Sequence, residues 1–504
     1  SKKFKKKFIK CKNNYENIKL SIDEYKNLND VKKIFKFFQP DIYFSFDKII
    51  KKKILEKYFK NRIEKNKIKN GLKLWSRAKK IIPGGNMLLS KNPDRYLPNG
   101  WPTYFKSAYG CTIVDLDNNK YLDLSTMGVG TNTLGYGNNK VDHAVKRAVN
   151  LGNMSTLNCA EEVELADKLL KLHPWFKMAK FARTGGEANS IAIRIARTAT
   201  KKDNVAICGY HGWHDWYLST NLNNSKKNNL NNHLMKNLNI GGVPKKLKNT
   251  SFSFNYGDFN SLKKIVKTKN IGTIKMEVCR NTQPDINFLR KVRNLATKNN
   301  IILIFDECTT GFRETYGGLH KKINIKPDIV IFGKALGNGY AITAILGKEK
   351  VMQSANRTFI SSTFWSERIG SVAALKTLQV MKEKKSWQYI HLVGSKIKKN
   401  WQKLFNKYKL KVSIRGINSL LNFVFESKNH QAYKTLITQE MIKDNILATT
   451  AIYPCIKHSD SILKKYYKSL EKVLKIISMC ENQGHDVRKF IKSPVSNKDF
   501  YRYN

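Results

Sequence analysis

Apolar residues fall into two rhythms along this chain. Past about residue 140, short solidly apolar runs alternate with longer stretches whose apolar positions recur every three or four residues. The runs "MAKFAR", "NVAICGY", "IGTIKMEV", "IILIFDE", "DIVIFGK" and "AITAILG" have strand length. A strand apolar on successive residues is buried on both faces. "EANSIAIRIARTAT" and "INFLRKVRNLATKN" carry the helical period. Strand and helix in alternation predict an α/β fold, with parallel strands joined by crossover helices. Before this region, "CTIVDLDNNKYLDLS" alternates across Asp117-Asn118-Asn119, the pattern of a β-hairpin. After about residue 370, a long helical stretch leads into "VSIRGINSLLNFVFE" and more helix, which reads as a smaller α+β domain. No fixed-period repeat is present.

The first 70 residues differ from the rest. They are Lys-rich and poor in Gly, and "DVKKIFKFF" and "FDKIIKKKILEKYFKNRIEK" repeat apolar positions as amphipathic helices do. Such basic helices can lie on membranes or bind partners. An extension packed on the main body is the reading we favour. Pro83-Gly84-Gly85 then predicts a turn. The expected division is a basic helical extension over 1–70, a small-domain segment with the hairpin over 71–140, a large α/β domain over 141–370, and a small α+β domain over 371–504.

Composition narrows the class. A chain of 504 residues with 41% hydrophobic content can bury a large core. Its apolar runs are short and broken by charge, so no membrane span is expected. "SKKFKKKFIKCK" has too little apolar content for a secretory signal, and it is rich in Lys where transit peptides favour Arg and Ser. The 8 cysteines form no CxxC pair, which suits free thiols in a reducing cytoplasm. The net charge of +55 admits two explanations. One is a polyanionic partner. The other is compositional drift, favoured because Lys, Asn and Ile are enriched together along the whole length. The lysines form no stripe with interleaved aromatics, so no specific nucleic-acid function is assigned.

Three places carry candidate chemistry. In "FARTGGEANSIAIRIAR" (181–197), a strand runs into Gly185-Gly186 and a helix begins at once. Backbone N–H groups there could cradle a phosphate, although a Gly-Gly turn is often only tight geometry. The spacing matches neither the dinucleotide nor the Walker pattern. In "ICGYHGWHDWY" (207–217), Tyr210, His211, Trp213, His214 and Trp216 could stack on a planar ring or pack on one another. An HxxH pair without a third ligand is assigned no metal. Finally, "IILIFDECTTGFR" ends an apolar run on Asp306 and Glu307, and "PDIVIFGKALGNGY" ends one on Lys334. A buried carboxylate needs a cation or hydrogen-bond donors. A desolvated lysine becomes a nucleophilic amine. An Asp306–Lys334 salt bridge is the plain alternative. One acid, one amine, one phosphate cradle and one aromatic face together suit pyridoxal phosphate.

These motifs resemble the class III, fold-type I pyridoxal-phosphate aminotransferases, and within them the glutamate-1-semialdehyde aminomutase branch. The resemblance spans roughly 75–500 and rests on "PGGN", "RTGGEAN", "GYHGWHD", "FDECTTGFR", "PDIVIFGKALGNGY", "SSTFW" and the ending "SPVSNKDFYRYN". It implies a mostly parallel seven-stranded sheet with flanking helices, and a small α+β domain built from the N- and C-terminal segments. It implies that Lys334 bonds the cofactor aldehyde and shuttles protons, and that Asp306 pairs with the ring nitrogen. Gly185 and Gly186 would hold the phosphate, Tyr210 would cover the ring, and Glu277 would line the pocket, with Val278 where proline commonly follows. Thr363 would reach the phosphate of a neighbouring subunit, which implies a homodimer with shared active sites. The aminomutase branch carries "PGGVNSPVR", whose arginine meets the substrate carboxylate. Here "PGGNMLLSK" puts Lys91 in that place, and lysine gives no planar bidentate clamp. Thr309 stands where many aminotransferase relatives have Gln, which leans towards the aminomutase branch. Small-molecule amines and keto or aldehyde compounds are the expected substrates. An aminotransferase with an external donor is slightly preferred over an intramolecular aminomutase, and a non-catalytic anion-binding protein comes third.

Overall fold

A computed structural model describes residues 69–223, 238–279 and 281–497. The amphipathic helices expected within 1–68 lie outside the described residues. The described part opens with helix α1 (Lys69–Ile81), followed by the meander β1 (Phe105–Tyr109), β2 (Thr112–Asp115) and β3 (Lys120–Leu124). The β2–β3 turn is the hairpin expected at Asp117–Asn119, closed by Asp115 N–H donating to the Asn119 carbonyl and by the Asp115 carboxylate accepting two backbone N–H groups. The turn expected after Pro83 is present too. Gly85 has φ +75°, and a Cβ there would sit 2.4 Å from the Trp75 ring.

Helices α2 (Asn139–Asn150) and α3 (Ala160–Leu172) lead into the large domain. Its strands are β4 (Met178–Ala182), β5 (Asn204–Cys208), β6 (Ser251–Ser253), β7 (Ile271–Glu277), β8 (Ile302–Asp306), β9 (Ile329–Phe332) and β10 (Thr343–Gly347). Between them run α4 (Gly185–Thr200), α5 (Phe259–Thr268) and α6 (Ile286–Lys298). The seven strands form one sheet in the order β4-β10-β9-β8-β7-β5-β6. The β6–β5–β7–β8–β9 pairings are parallel, and β10 is antiparallel to both β9 and β4. "AITAILG" is therefore a strand as expected, but it runs against its neighbours. Apolar side chains cover both faces: Leu303, Phe305, Val330 and Phe332 belong to one cluster, Ile302, Ile304, Ile329 and Ile331 to the other. That two-sided burial is why these runs are apolar at every position.

The chain continues through α7 (Arg368–Lys384), α8 (Ser386–Lys407), β11 (Val412–Arg415), β12 (Leu421–Phe425), α9 (His430–Lys443), β13 (Ile446–Ala448), β14 (Ala451–Ile452) and α10 (Asp460–Asn482). Strand β13 adds in parallel to β3, completing a sheet β1-β2-β3-β13 from the two ends of the described chain. Strands β11, β12 and β14 form a separate sheet. Trp401 sits in that domain's core, edge-on to Phe423 at 4.7 Å, with its indole N–H donating to Tyr466 Oη at 3.0 Å. No helix among the described residues is long and apolar enough to cross a membrane.

Candidate active site

Parallel strands bring their carboxyl ends to one edge. Cys208 of β5 pairs with Met276, Glu277 with Asp306, and Asp306 with Ile331, so β5, β7, β8 and β9 all end there. Strand β4 ends there as well, because Ala182 pairs with Thr343 at the start of the antiparallel β10. Such an edge is where open α/β sheets bind ligands.

The two acids of "IFDE" part company. Glu307 turns away and is fully buried. It accepts from the Leu319 and His320 backbone N–H groups, the Thr310 hydroxyl and the His320 ring, and so pins the 318–320 turn. Asp306 Oδ2 meets His211 Nδ1 at 2.9 Å, and Oδ1 accepts the Cys308 N–H at 3.1 Å. Lys275 Nζ lies 3.7 Å from Oδ2. Burial alone would raise the Asp306 pKa. The Lys275 ammonium and then the His211 bond more than offset it, and the carboxyl is held well below its usual range.

Lys334 opens the turn after β9 with φ +44°. A left-handed backbone is uncommon for a residue with a side chain. Its Nζ donates to Thr309 Oγ1 at 2.7 Å. Cys308 lies between the two candidate groups: burial pushes its thiol well up, Asp306 pushes it further, and Lys334 pulls it down.

The turn after β4 is built to hold a helix N-terminus open. Thr184 Oγ1 accepts the Glu187 N–H, and the Glu187 carboxylate accepts the Thr184 N–H at 2.7 Å, a reciprocal cap on α4. A Cβ on Gly186 would lie 2.5 Å from the His214 ring. Trp365 Nε1 donates to Glu187 Oε1 at 3.1 Å, and Arg183 Nη2 donates to the Trp365 and Glu367 carbonyls. The 365–367 segment thus braces the same turn. After β5, Gly209 has φ +113°, and a Cβ there would sit 2.5 Å from Glu277 Oε2, which accepts the Tyr210 N–H at 3.0 Å. Tyr210 meets Tyr217 edge-on at 6.0 Å, while His214 stacks on Trp213 at 4.6 Å.

Gly185, Gly186, Tyr210, Glu277, Asp306 and Lys334 therefore converge. Lys91 and Thr363 are exposed, and no hydrogen bond or ion pair among the described residues ties either side chain to this group. The sequence reading missed three neighbours. For His211 a stacking or hydrogen-bonding role is expected over metal binding, but its partner, the buried Asp306, could not be named from the sequence. Lys275 is the one charge inside "IGTIKM", and that break in an apolar run was the signal for it. Arg313 was read only within its motif. It is fully buried, donates to the Thr309 and Gly130 carbonyls, and stands over the Tyr453 ring at 5.8 Å. Among the described residues no group of three His, Cys, Asp or Glu is placed to hold a metal. Beside Thr309 opens a small recess lined by Cys279, Asn281, Thr282, Ile417, Leu420 and Tyr453 among others. Arg280 lies outside the described residues.

Comparison with known proteins agrees with this geometry. The 3-aminobutyryl-CoA aminotransferase of Cloacimonas acidaminovorans is 32% identical over 415 residues, covering 79% of this chain and 95% of that protein. A glutamate-1-semialdehyde 2,1-aminomutase of Nitrosopumilus maritimus is 35% identical over 326 residues, 62% of this chain and 74% of its own length. In fold, the FumI protein of Sphingopyxis sp. MTA144, solved in its PLP internal aldimine form, superposes with a TM-score of 0.73 at 21% identity over 84% of this chain and 98% of that one. An omega-transaminase from Sphaerobacter thermophilus gives 0.71 at 20% identity, over 80% of this chain and 97% of that one. The aminotransferase class-III family matches residues 98–458, and the chain belongs to that family of pyridoxal-phosphate-dependent enzymes that transfer amino groups.

Proposed function

We propose that this enzyme moves an amino group from an external donor to a keto or aldehyde acceptor, with Lys334 and Asp306 at opposite ends of the cofactor ring. The donor set fits pyridoxal phosphate. A buried, ionised carboxylate suits the ring nitrogen. A lysine amine at the same edge suits the aldehyde, and two glycines opening the 16-residue α4 suit the phosphate. In this reading Gly185 and Gly186 offer backbone N–H groups, Tyr210 covers the ring, and Glu277 fixes Tyr210 through its backbone. The cofactor supplies an electron sink for the pair left when the substrate Cα loses its proton. Asp306 keeps a proton at the ring nitrogen, and His211 holds the carboxylate from behind. Lys334 Nζ takes the Cα proton and returns one at the neighbouring carbon, held on that line by Thr309 Oγ1. The single observation that carries this assignment is the meeting of Thr309 with Lys334 Nζ, three residues after Asp306 on the same strand end.

An external donor is favoured because Lys91 replaces the arginine clamp and every described residue of the recess is uncharged. The aminotransferase name of the Cloacimonas relative points the same way. The aminomutase reading keeps support from Thr309 and from the Nitrosopumilus relative. We also assign a homodimer in which Thr363 reaches the partner's cofactor phosphate and Lys91 meets substrate. Phe359 and Phe364, 81% and 70% exposed on either side of "SST", give that loop an apolar surface to bury. The loaded enzyme, mixed with single amines and no acceptor, decides between the two reactions. A transaminase releases one keto acid or aldehyde per site and changes its absorbance permanently. Return to the starting spectrum without a released carbonyl product would favour the mutase. Lys334→Ala should lower turnover by at least about 10²- to 10⁴-fold.

A further inference from the structure

Lys275 lies within β7, a strand buried at every position, with 0% of its side chain exposed. Among the described residues its Nζ has no hydrogen-bond partner. The nearest acid is Asp306, whose Oδ2 is 3.7 Å away and already meets His211 Nδ1 at 2.9 Å. An apolar side chain would satisfy this strand as well as its neighbours Ile274 and Met276 do. A lone ammonium in such a place costs several kcal/mol unless a charge answers it: burial lowers the Lys275 pKa, and the Asp306 carboxylate is the strongest group holding the proton on. The groups that face it are Asp306 and Cys308 from β8 and its turn, and Glu277 on its own strand; His211, from the turn after β5, shares Asp306 Oδ2. Asp306 is the group it pairs with.

We propose that Lys275 is an internal counter-cation to Asp306, sharing the carboxylate with the cofactor's ring nitrogen and weakening the carboxylate's hold on the ring proton. This rests on the reading that Asp306 faces the ring nitrogen. Without Lys275, one acid meets one pyridinium and their charges cancel. With it, two cations compete for one carboxylate, and the ring gives up its proton at lower pH. Lys275 is then a positioning residue that sets the strength of the electron sink without touching substrate. The acid stays ionised before the cofactor arrives, so the site is charged and ready rather than waiting for a proton to leave.

The test uses full-length apoenzyme loaded with 4-deoxypyridoxine 5′-phosphate. This probe keeps the ring nitrogen and phosphate but has a methyl group where the aldehyde would be, so Lys334 cannot bond it. Its ultraviolet spectrum reports ring protonation as pH is raised. Lys275→Met and Lys275→Gln should each move the ring's deprotonation at least about one pH unit higher, a tenfold change in proton affinity. Lys275→Arg, which keeps the cation, should follow the unmodified protein. Two neutral variants guard against one failing to fold. The inference is overturned if the neutral variants titrate with the unmodified protein, or if the Arg variant shifts with them. Asp306→Asn separates the two readings: it should move deprotonation lower by more than a unit. If it leaves the titration unchanged, the Asp306 assignment fails as well. If it shifts while the Lys275 variants do not, only Lys275 is wrongly assigned.

Discussion

Thr309 touches two cationic side chains at once. Its hydroxyl accepts from Lys334 Nζ at 2.7 Å, and its carbonyl accepts from Arg313 Nε at 2.6 Å. Replacing it by Val keeps the shape and the carbonyl but removes the hydroxyl oxygen that meets the amine. A lost hydrogen bond to a charged partner is worth about 1.5–3 kcal/mol. The single-turnover rate with an amino donor should therefore fall roughly 10- to 100-fold in Thr309→Val, while Thr309→Ser stays within about threefold; equal rates in all three would remove Thr309 from the proton path. At this scale the sequence was most readable where a charge ended an apolar run, because burial makes such a charge costly without a purpose. That argument finds Lys334 and Asp306. It also selects Glu307, and only the turn at 318–320 shows that Glu307 is spent on holding structure. The contacts of His211 with Asp306 and of Arg313 with Gly130 and Tyr453 could not be assigned, since those partners lie about a hundred residues or more away in sequence.

Periodicity recovered the elements better than their directions. Every long apolar run became a strand, because two-sided burial leaves no other pattern. The direction of β10 did not show, since an antiparallel strand between two buried neighbours is as apolar as a parallel one. Strand β6 spans only Ser251–Ser253, two of its three residues are Ser, and it is too short to leave a signal. Packing between elements makes a sharper prediction. Gly394 lies inside α8, where a Cβ would sit 1.8 Å from the Asn418 carbonyl oxygen. The neighbouring loop supplies Gly416, Ile417 and Leu420 to the recess beside Thr309. Gly394→Ala must push helix and loop apart, at about 1–3 kcal/mol. It should lower the urea midpoint and also weaken substrate affinity. Gly71 in α1 is the contrast: a Cβ there meets nothing closer than 3.9 Å. Gly71→Ala should be neutral or stabilising by up to about 1 kcal/mol. If both variants lower the midpoint equally, the close approach at Gly394 is not what matters.

Acid should loosen the whole molecule in two separable stages. His173 is fully buried beneath the sheet, with Nδ1 against the Leu169 carbonyl at 2.9 Å and Nε2 accepting the Gly318 N–H at 3.3 Å. Burial pushes its imidazole down from 6.5 to about 3. His458, buried against the Asp123 carbonyl, is lowered by burial as well. A histidine depressed in the folded state binds its proton only when the chain unfolds. Between its folded value and 6.5 the unfolded chain holds more protons, so stability falls as pH falls, by about 1.4 kcal/mol per pH unit for each such group. The buried carboxylates Asp306 and Glu307 are depressed in the folded state too, and their contribution is present above ordinary values of 3.8 and 4.5 and lost only below them. The slope between pH 5 and 6.5 therefore belongs to histidine and the slope below 4.5 to both kinds of group. His173→Gln keeps a donor and an acceptor but does not titrate. Urea midpoints measured from pH 8 to 4 should agree in shape above pH 7, and the variant should lose stability less steeply below 6.5, by about 1.4 kcal/mol for each unit. Parallel curves would mean that His173 is solvated or charged in the folded enzyme, contrary to its position against Phe332 and His320.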